Sequence, residues 1–143
     1  MSSAPVITQD EVSAVYSKVA KAIADALARE VDECQLKSRI IDDLGAESID
    51  LLDIVFRLER AFKIKIPRNR IASDARGDLP EAEFERNGII TEAGRKRLQE
   101  YLSEVPPESF PATLRVDDIP RLFTVETFCK LVARALAEQA ATT

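Results

Sequence analysis

Ile41-Asp42-Asp43-Leu44-Gly45-Ala46-Glu47-Ser48-Ile49-Asp50-Leu51-Leu52-Asp53 ends a loop and opens a helix. Gly45 takes backbone angles that a residue with a β-carbon resists, so the loop can turn sharply there. Glu47 and Ser48 follow at a position that favours Ser as a cap and acids near the positive end of the helix dipole. From Ile49 onward apolar residues recur at helical spacing. Leu51, Ile54, Val55, Leu58 and Phe62 share one broad face, while Asp50, Asp53, Arg57 and Arg60 fall largely off it. The expected product is a hydroxyl at a helix entrance, beside an acidic surface and in front of a packed face. The helix is expected over Ser48 to Phe62.

Two readings of Ser48 compete. In one it is only an N-cap, worth about 1 kcal/mol of helix stability. In the other it is a modified residue. The whole string bears on the choice. Asp43-Leu44-Gly45-Ala46-Glu47-Ser48-Ile49-Asp50 resembles the Asp-Leu-Gly-x-Asp-Ser-Leu-Asp signature of acyl carrier proteins, with Glu47 and Ile49 replacing the usual Asp and Leu. The likeness continues through Leu52-Asp53-Ile54-Val55-Phe56 to Phe62-Lys63-Ile64-Lys65-Ile66-Pro67, which looks like that family's second helix and its exit. The resemblance implies that Ser48 carries 4′-phosphopantetheine, derived from coenzyme A, through a phosphodiester. A phosphate at a helix entrance sits near backbone N–H groups that the helix leaves free. The reactive thiol would belong to the attached arm.

The chain itself is not expected to be an enzyme. It contains no His, so the commonest general base is missing and a Ser–His hydrolase arrangement is excluded. Cys34 and Cys129 are far apart in sequence, and no Cys/His cluster marks a metal site. They read as small apolar residues in a reducing compartment, with a disulfide between them left open. Net charge is −5 over 143 residues, with 45% apolar and 31% charged residues. That balance suits a globular protein and argues against generic nucleic-acid binding. Met1 to Pro5 lacks the basic and apolar regions of a secretory signal, and no apolar run reaches the length of a membrane span. A cytoplasmic monomer without stable membrane insertion is expected.

Working outward, Thr8-Gln9-Asp10-Glu11 is a capping box that starts a first helix running to about Glu30. Val12, Val15, Tyr16, Val19, Ile23, Ala26 and Leu27 form its apolar stripe, with Lys18, Lys21, Asp25 and Arg29 opposite. A long connection follows to Ala46, in which Leu36, Ile40, Ile41 and Leu44 pin polar chain over the bundle. Lys63 to Pro67 alternates polar and apolar residues, and Pro67 biases Ile66 away from helical angles. It reads as an extended segment with Ile64 and Ile66 tucked inside.

Beyond Pro67 the chain departs from a minimal carrier. Pro80 with a cluster of acids suggests a helical turn over Leu79 to Arg86, Asn87-Gly88 a turn, and Thr91 a cap for a helix to Leu102. Thr124 caps a last helix over Val125 to about Gln139, burying Val125, Phe128, Cys129, Leu131, Val132, Ala135 and Leu136. Phe56, Phe62, Phe123 and Phe128 are expected in the core. Leu122-Phe123-Thr124-Val125-Glu126-Thr127-Phe128-Cys129 resembles the Tyr-Phe-x-Val-x-x-Leu-Cys segment of carriers that hold very-long-chain fatty acids for lipid A. Leu52 to Phe56 matches that subfamily too.

The expected fold is therefore all-α: one four-helix carrier domain, with core at about 8–67 and 120–140 and an inserted helical segment at about 68–119. The resemblance implies a carrier of acyl thioesters for fatty-acid or specialised lipid synthesis. Its partners would be a phosphopantetheinyl transferase, acyl synthases and acyltransferases. Asp43, Glu47, Asp50, Asp53 and Glu59 are the candidate docking acids, and a solvated helix face is the plainer account of each. Arg57, Arg60 and Lys63 dilute that acidity and favour a dedicated partner set. A peptidyl or aminoacyl carrier, and an unmodified helical adaptor, are the alternatives. The insert either covers or extends an acyl pocket, docks a partner, or embellishes the surface.

Overall fold

The computed structural model describes residues 7–67 and 70–141. Three long helices make the carrier part: α1 (Gln9–Leu27), α2 (Ser48–Phe62) and, after a short α3 (Arg70–Arg76), α4 (Glu81–Phe84) and α5 (Glu92–Tyr101), the closing α6 (Val125–Ala141). α1 packs on both α2 and α6. Val12, Val19 and Ile23 of α1, Ile54 and Leu58 of α2, and Val125, Phe128 and Val132 of α6 are sealed from water at their centre. Their spacing within each helix is the three-to-four-residue apolar repeat seen in the sequence.

α1 begins as expected. The Thr8 hydroxyl accepts from the Glu11 N–H at 3.2 Å, and the Glu11 carboxylate accepts from the Thr8 N–H at 3.0 Å. It ends earlier than about Glu30. Ala28 turns left-handed (φ 56°), and the Arg29 N–H closes back onto the Ala24 carbonyl. That frees Arg29 to pair with Glu33 at 2.9 Å. A 3-10 turn (Val31–Glu33) follows, and the connection is then pinned at Ile40, Leu44 and Ala46, all buried. After α2, Ile64 and Ile66 point inward along an extended segment. Phe56, expected in the core, lies 44% exposed. It stands two residues from both buried positions Ile54 and Leu58, about 200° around the helix from each, which turns it to the outer face.

The segment after Pro67 packs into the fold. It contains α3, which the sequence reading did not anticipate, then α4 and a two-residue antiparallel hairpin (β1, Glu85–Arg86; β2, Ile89–Ile90). Asn87 and Gly88 make the turn with positive φ, 54° and 81°. α5 follows, capped by the Thr91 hydroxyl, which accepts from the Gly94 N–H at 3.0 Å. Gly94 presses on the Phe84 carbonyl so closely that a β-carbon would collide with it. Two further 3-10 turns (Pro107–Ser109 and Val116–Leu122) lead back to α6. Phe84, Leu98, Leu102 and Leu114 join the same buried cluster as the carrier helices, so the insert and the bundle share one core.

Polar contacts fasten the two parts together. The Glu104 carboxylate, 1% exposed, accepts from the Thr127 hydroxyl at 2.6 Å and from Lys130 at 3.1 Å. The Tyr101 hydroxyl donates to Asp74 at 2.8 Å, and the Arg134 guanidinium lies 4.2 Å over the Tyr101 ring. Burial raises the Tyr101 phenol above its ordinary pKa, so it remains a donor. Arg70 donates to Asp74 through Nε and to Glu138 through both terminal nitrogens, which ties α3 to α6.

Candidate phosphopantetheine attachment site

The loop ahead of α2 is held from both sides. Ile40 donates to the Phe123 carbonyl at 3.0 Å and Val125 to the Ser38 carbonyl at 3.0 Å, so residues 38–40 lie antiparallel to the segment that enters α6. Within the loop, Leu44 and Asp43 both donate to the Arg39 carbonyl, Gly45 to Ile41 and Ala46 to Ile40. Gly45 sits at φ 76°, in the left-handed region that a β-carbon disfavours. Arg39 grips the loop from outside. Its guanidinium reaches Asp43 at 3.0 and 3.2 Å and Asp42 at 3.6 Å, and its own N–H donates to Asp43 at 2.8 Å. Those bonds hold the Asp43 carboxyl below its usual pKa, the side-chain bond first and the backbone bond second.

This scaffold delivers Ser48 as the first residue of α2, with an exposed side chain. Ser48 does not cap the helix. Glu47 holds the cap position in an extended conformation (φ −102°, ψ 169°), and the Asp50 carboxylate accepts from the Glu47 N–H at 2.8 Å. The cap falls one residue early because that geometry lets Asp50, three residues on, reach back and satisfy it. Among the described residues the Ser48 hydroxyl has no hydrogen-bond partner. It stands free at the end of the helix where the first-turn N–H groups are unused and the dipole is positive. An exposed hydroxyl in that place is well disposed to accept a phosphoryl group and hold its charge.

The candidate acids fare differently. Asp43 is committed to Arg39, and Asp53 pairs with Arg57 at 3.2 Å. Asp50 serves the cap. Glu59 accepts from the Ile66 N–H at 2.7 Å, fixing the extended exit from α2. Glu47 remains exposed at the helix entrance. Sequence reasoning missed the Arg39 clamp and the Glu59 anchor. The first had a visible signal, an Arg followed by Asp at three and four residues; the second joins residues seven apart across a bend and had none.

An apolar cleft of ≈ 330 Å³ opens on the flank of α2. Leu51 and Leu52 line it, three and four residues on from Ser48, and so one helical turn below the hydroxyl. Val55, Ile71, Phe123 and Leu131 continue the lining. Cys34 and Cys129 are buried free thiols, and burial pushes Cys129 up to about 12.

Residues 17–75 match the family described as the phosphopantetheine attachment site. That span holds the whole Ser48 loop and α2 and reaches into α3. The chain is 39% identical over 74 residues to acyl carrier protein AcpXL of Brucella melitensis, a match covering 51% of this chain and 80% of that one. It belongs to the acyl carrier protein family. An acyl carrier protein of Clostridium acetobutylicum is 42% identical over 53 residues, covering 37% of this chain and 69% of its own. With acyl carrier protein AcpXL of Mesorhizobium japonicum the identity is 46% over 56 residues, and the chain spans 60% of that relative's length. No solved structure matches the chain. Membership brings a covalent phosphopantetheine group and an acyl-carrying role in lipid biosynthesis. No helix among the described residues is long and apolar enough to cross a membrane.

Proposed function

We propose that Ser48 is the tether point of this carrier. Its hydroxyl oxygen attacks the pyrophosphate of coenzyme A in the active site of a phosphopantetheinyl transferase. A phosphodiester to the arm forms, the pyrophosphate P–O bond breaks, and the adenosine bisphosphate leaves; the Ser48 proton passes to the transferase or to water. The carrier contributes geometry alone. It holds the hydroxyl exposed and frees it from capping, and its own side chains supply no general base. The observation that carries this reading is the exposed, unbonded Ser48 hydroxyl at the head of α2, inside the matched attachment-site span.

The loaded arm then presents acyl thioesters to synthases and acyltransferases in the cytoplasm, and the chain catalyses no step itself. Glu47, together with Asp43, Asp50, Asp53 and Glu59, gives the docking face its negative charge. Glu47 and Asp50 stand on either side of the tether in the chain, and the bonds that Asp43, Asp50, Asp53 and Glu59 make inside the carrier hold those four in fixed positions. Arg57 and the exposed Arg60 break up the acidity further along α2 and narrow the range of partners. The AcpXL relatives, with the stretches Leu52–Phe56 and Leu122–Cys129, favour long acyl chains destined for a specialised lipid.

The test is intact-protein mass after incubation with coenzyme A and a broad-specificity transferase. Wild type gains the mass of one arm and Ser48→Ala gains nothing. A wild-type protein that stays at its bare mass, or a Ser48→Ala protein that gains the arm, refutes the assignment.

A further inference from the structure

The apolar cleft beside Ser48 is not built by the carrier helices alone. One of its walls is the 3-10 segment Val116–Leu122, which carries the chain from the end of the insert back to α6 and contributes Val116, Ile119 and Pro120. This segment runs between two fixed points. At its far end the Val116 N–H is bonded to the Gly88 carbonyl in the hairpin turn. At its near end Arg121 pairs with Asp42 at 3.2 Å, and the Phe123 carbonyl that follows receives the Ile40 N–H of the loop leading to Ser48. Seven residues of 3-10 helix advance roughly 14 Å. The wall therefore leads from the tether loop to the insert hairpin, with Phe123 at the tether end and Val116 at the other.

Beyond that wall lies a second, smaller hollow of ≈ 210 Å³. Ala72, Val116 and Ile119 line both spaces, so these three side chains are the partition between them. The two hollows differ in chemistry. The first is lined by Leu, Ile, Val and Phe, and the stem of its one charged neighbour, Arg70, is held there while its guanidinium is spent on Asp74 and Glu138. The second carries Arg76, Glu81 and Glu85. A hydrocarbon gains more from the first than from the second, where Ala72, Phe84, Val116 and Ile119 share the lining with Ser73, Arg76, Glu81 and Glu85.

We infer that the insert is a chain-length ruler: an acyl chain hung from Ser48 lies in the cleft, and Val116 and Ile119 mark where its buried part ends. The inference rests on the tether reading of Ser48. A cleft of this size is about twice the ~150 Å³ that accepts a benzene ring, so it takes on the order of a dozen carbons. Carbons beyond that number emerge past Val116, which is already 38% exposed at the rim. A chain that is only partly buried leaves its distal end available to an enzyme working there.

The experiment uses the full chain, loaded by a broad-specificity transferase with acyl-pantetheine arms of four to eighteen carbons and checked by intact mass. Thermal midpoints are then compared with the arm alone. Wild type gains stability with every added pair of carbons up to about twelve and then levels off. Val116→Trp and Ile119→Phe reach the plateau at a shorter chain, and Ile119→Ala at a longer one. Val116 sits at the rim, so its variant folds even if the buried Ile119 replacement does not. A loaded protein whose midpoint ignores chain length, or variants that share the wild-type plateau, overturn the ruler and leave the tether standing. A protein that takes no arm overturns both.

Discussion

If Ser48 is free of capping duty, replacing it should cost the fold nothing. An N-cap Ser changed to Ala loses about 1 kcal/mol. For a chain of this size that is a drop of about 3–4 °C in the thermal midpoint. Ser48 instead occupies the first helical position, exposed and unbonded. There, Ala is the better helix former, by a few tenths of a kcal/mol, about 0.5 at most. The unloaded Ser48→Ala protein is therefore expected to melt within about 1 °C of wild type, or slightly above it. The capping energy lies in Asp50, whose carboxylate takes the Glu47 N–H at 2.8 Å and faces the positive end of the helix. Asp50→Ala loses both effects and is expected to cost about 1 kcal/mol net, while Asp50→Asn keeps the acceptor and loses only the charge. Differential scanning calorimetry at neutral pH on the four unloaded proteins decides the matter. A fall of 3 °C or more in Ser48→Ala, with Asp50→Ala unchanged, would show that Ser48 is the cap and would remove the argument that its hydroxyl is kept free.

Four further outcomes are expected. The Asp43 carboxyl is held below its unfolded value by Arg39, so it contributes stability above about pH 3.9 that is lost as pH falls through the lower folded pKa; thermal midpoints from pH 6 to 2 should show Asp43→Asn below wild type at pH 6, with the gap closing under pH 4. Gly45→Ala meets only an ordinary contact with Arg29, at 3.5 Å, so its cost is that of the left-handed backbone, about 1 kcal/mol by urea unfolding. Arg70→Met keeps the stem in the cleft and strips the partner from Asp74 and Glu138; because Glu138 is half exposed, the loss should be about 2 kcal/mol, less than for a fully buried pair. Both thiols are buried and their pKa values raised, so a thiol reagent at pH 8 should label Cys34 and Cys129 only as fast as the protein opens, with rapid native-state labelling as the contrary result.

The carrier part was legible because its signals are local. Thr8 and Glu11, Thr91 and Thr124 each lie within four residues of what they cap, and the apolar repeats of α1, α2 and α6 name their own buried faces. Ser48 stands out the same way, and α2 runs from Ser48 to Phe62 as its spacing predicts; of the two readings of Ser48 the backbone removes the cap, because Glu47 takes that position. Phe56 was misplaced because aromatic character was weighed above its angle on the helix. What stayed hidden was long-range. α3 carries its core contact in Ile71 and Ala75 alone, too short a repeat to stand out. The Glu104–Lys130 and Arg70–Glu138 pairs join residues 26 and 68 apart, and no spacing rule reaches that far.

Those same long-range pairs explain why the insert cannot be a passive addition. α5 packs on α3, and α3 supplies one side of the cleft through Ile71 and Ala72. Glu104 is almost wholly buried against Thr127 and Lys130 of α6, where an unpaired carboxylate would be costly. The carrier helices and the insert therefore stabilise each other at the faces that surround the cleft, while the Ser48 hydroxyl stays exposed at the free end of α2. If Ser48 is the tether and the cleft holds hydrocarbon, a fold that fastens extra chain around that cleft and leaves the hydroxyl exposed changes what the carrier can hold without changing how it is loaded.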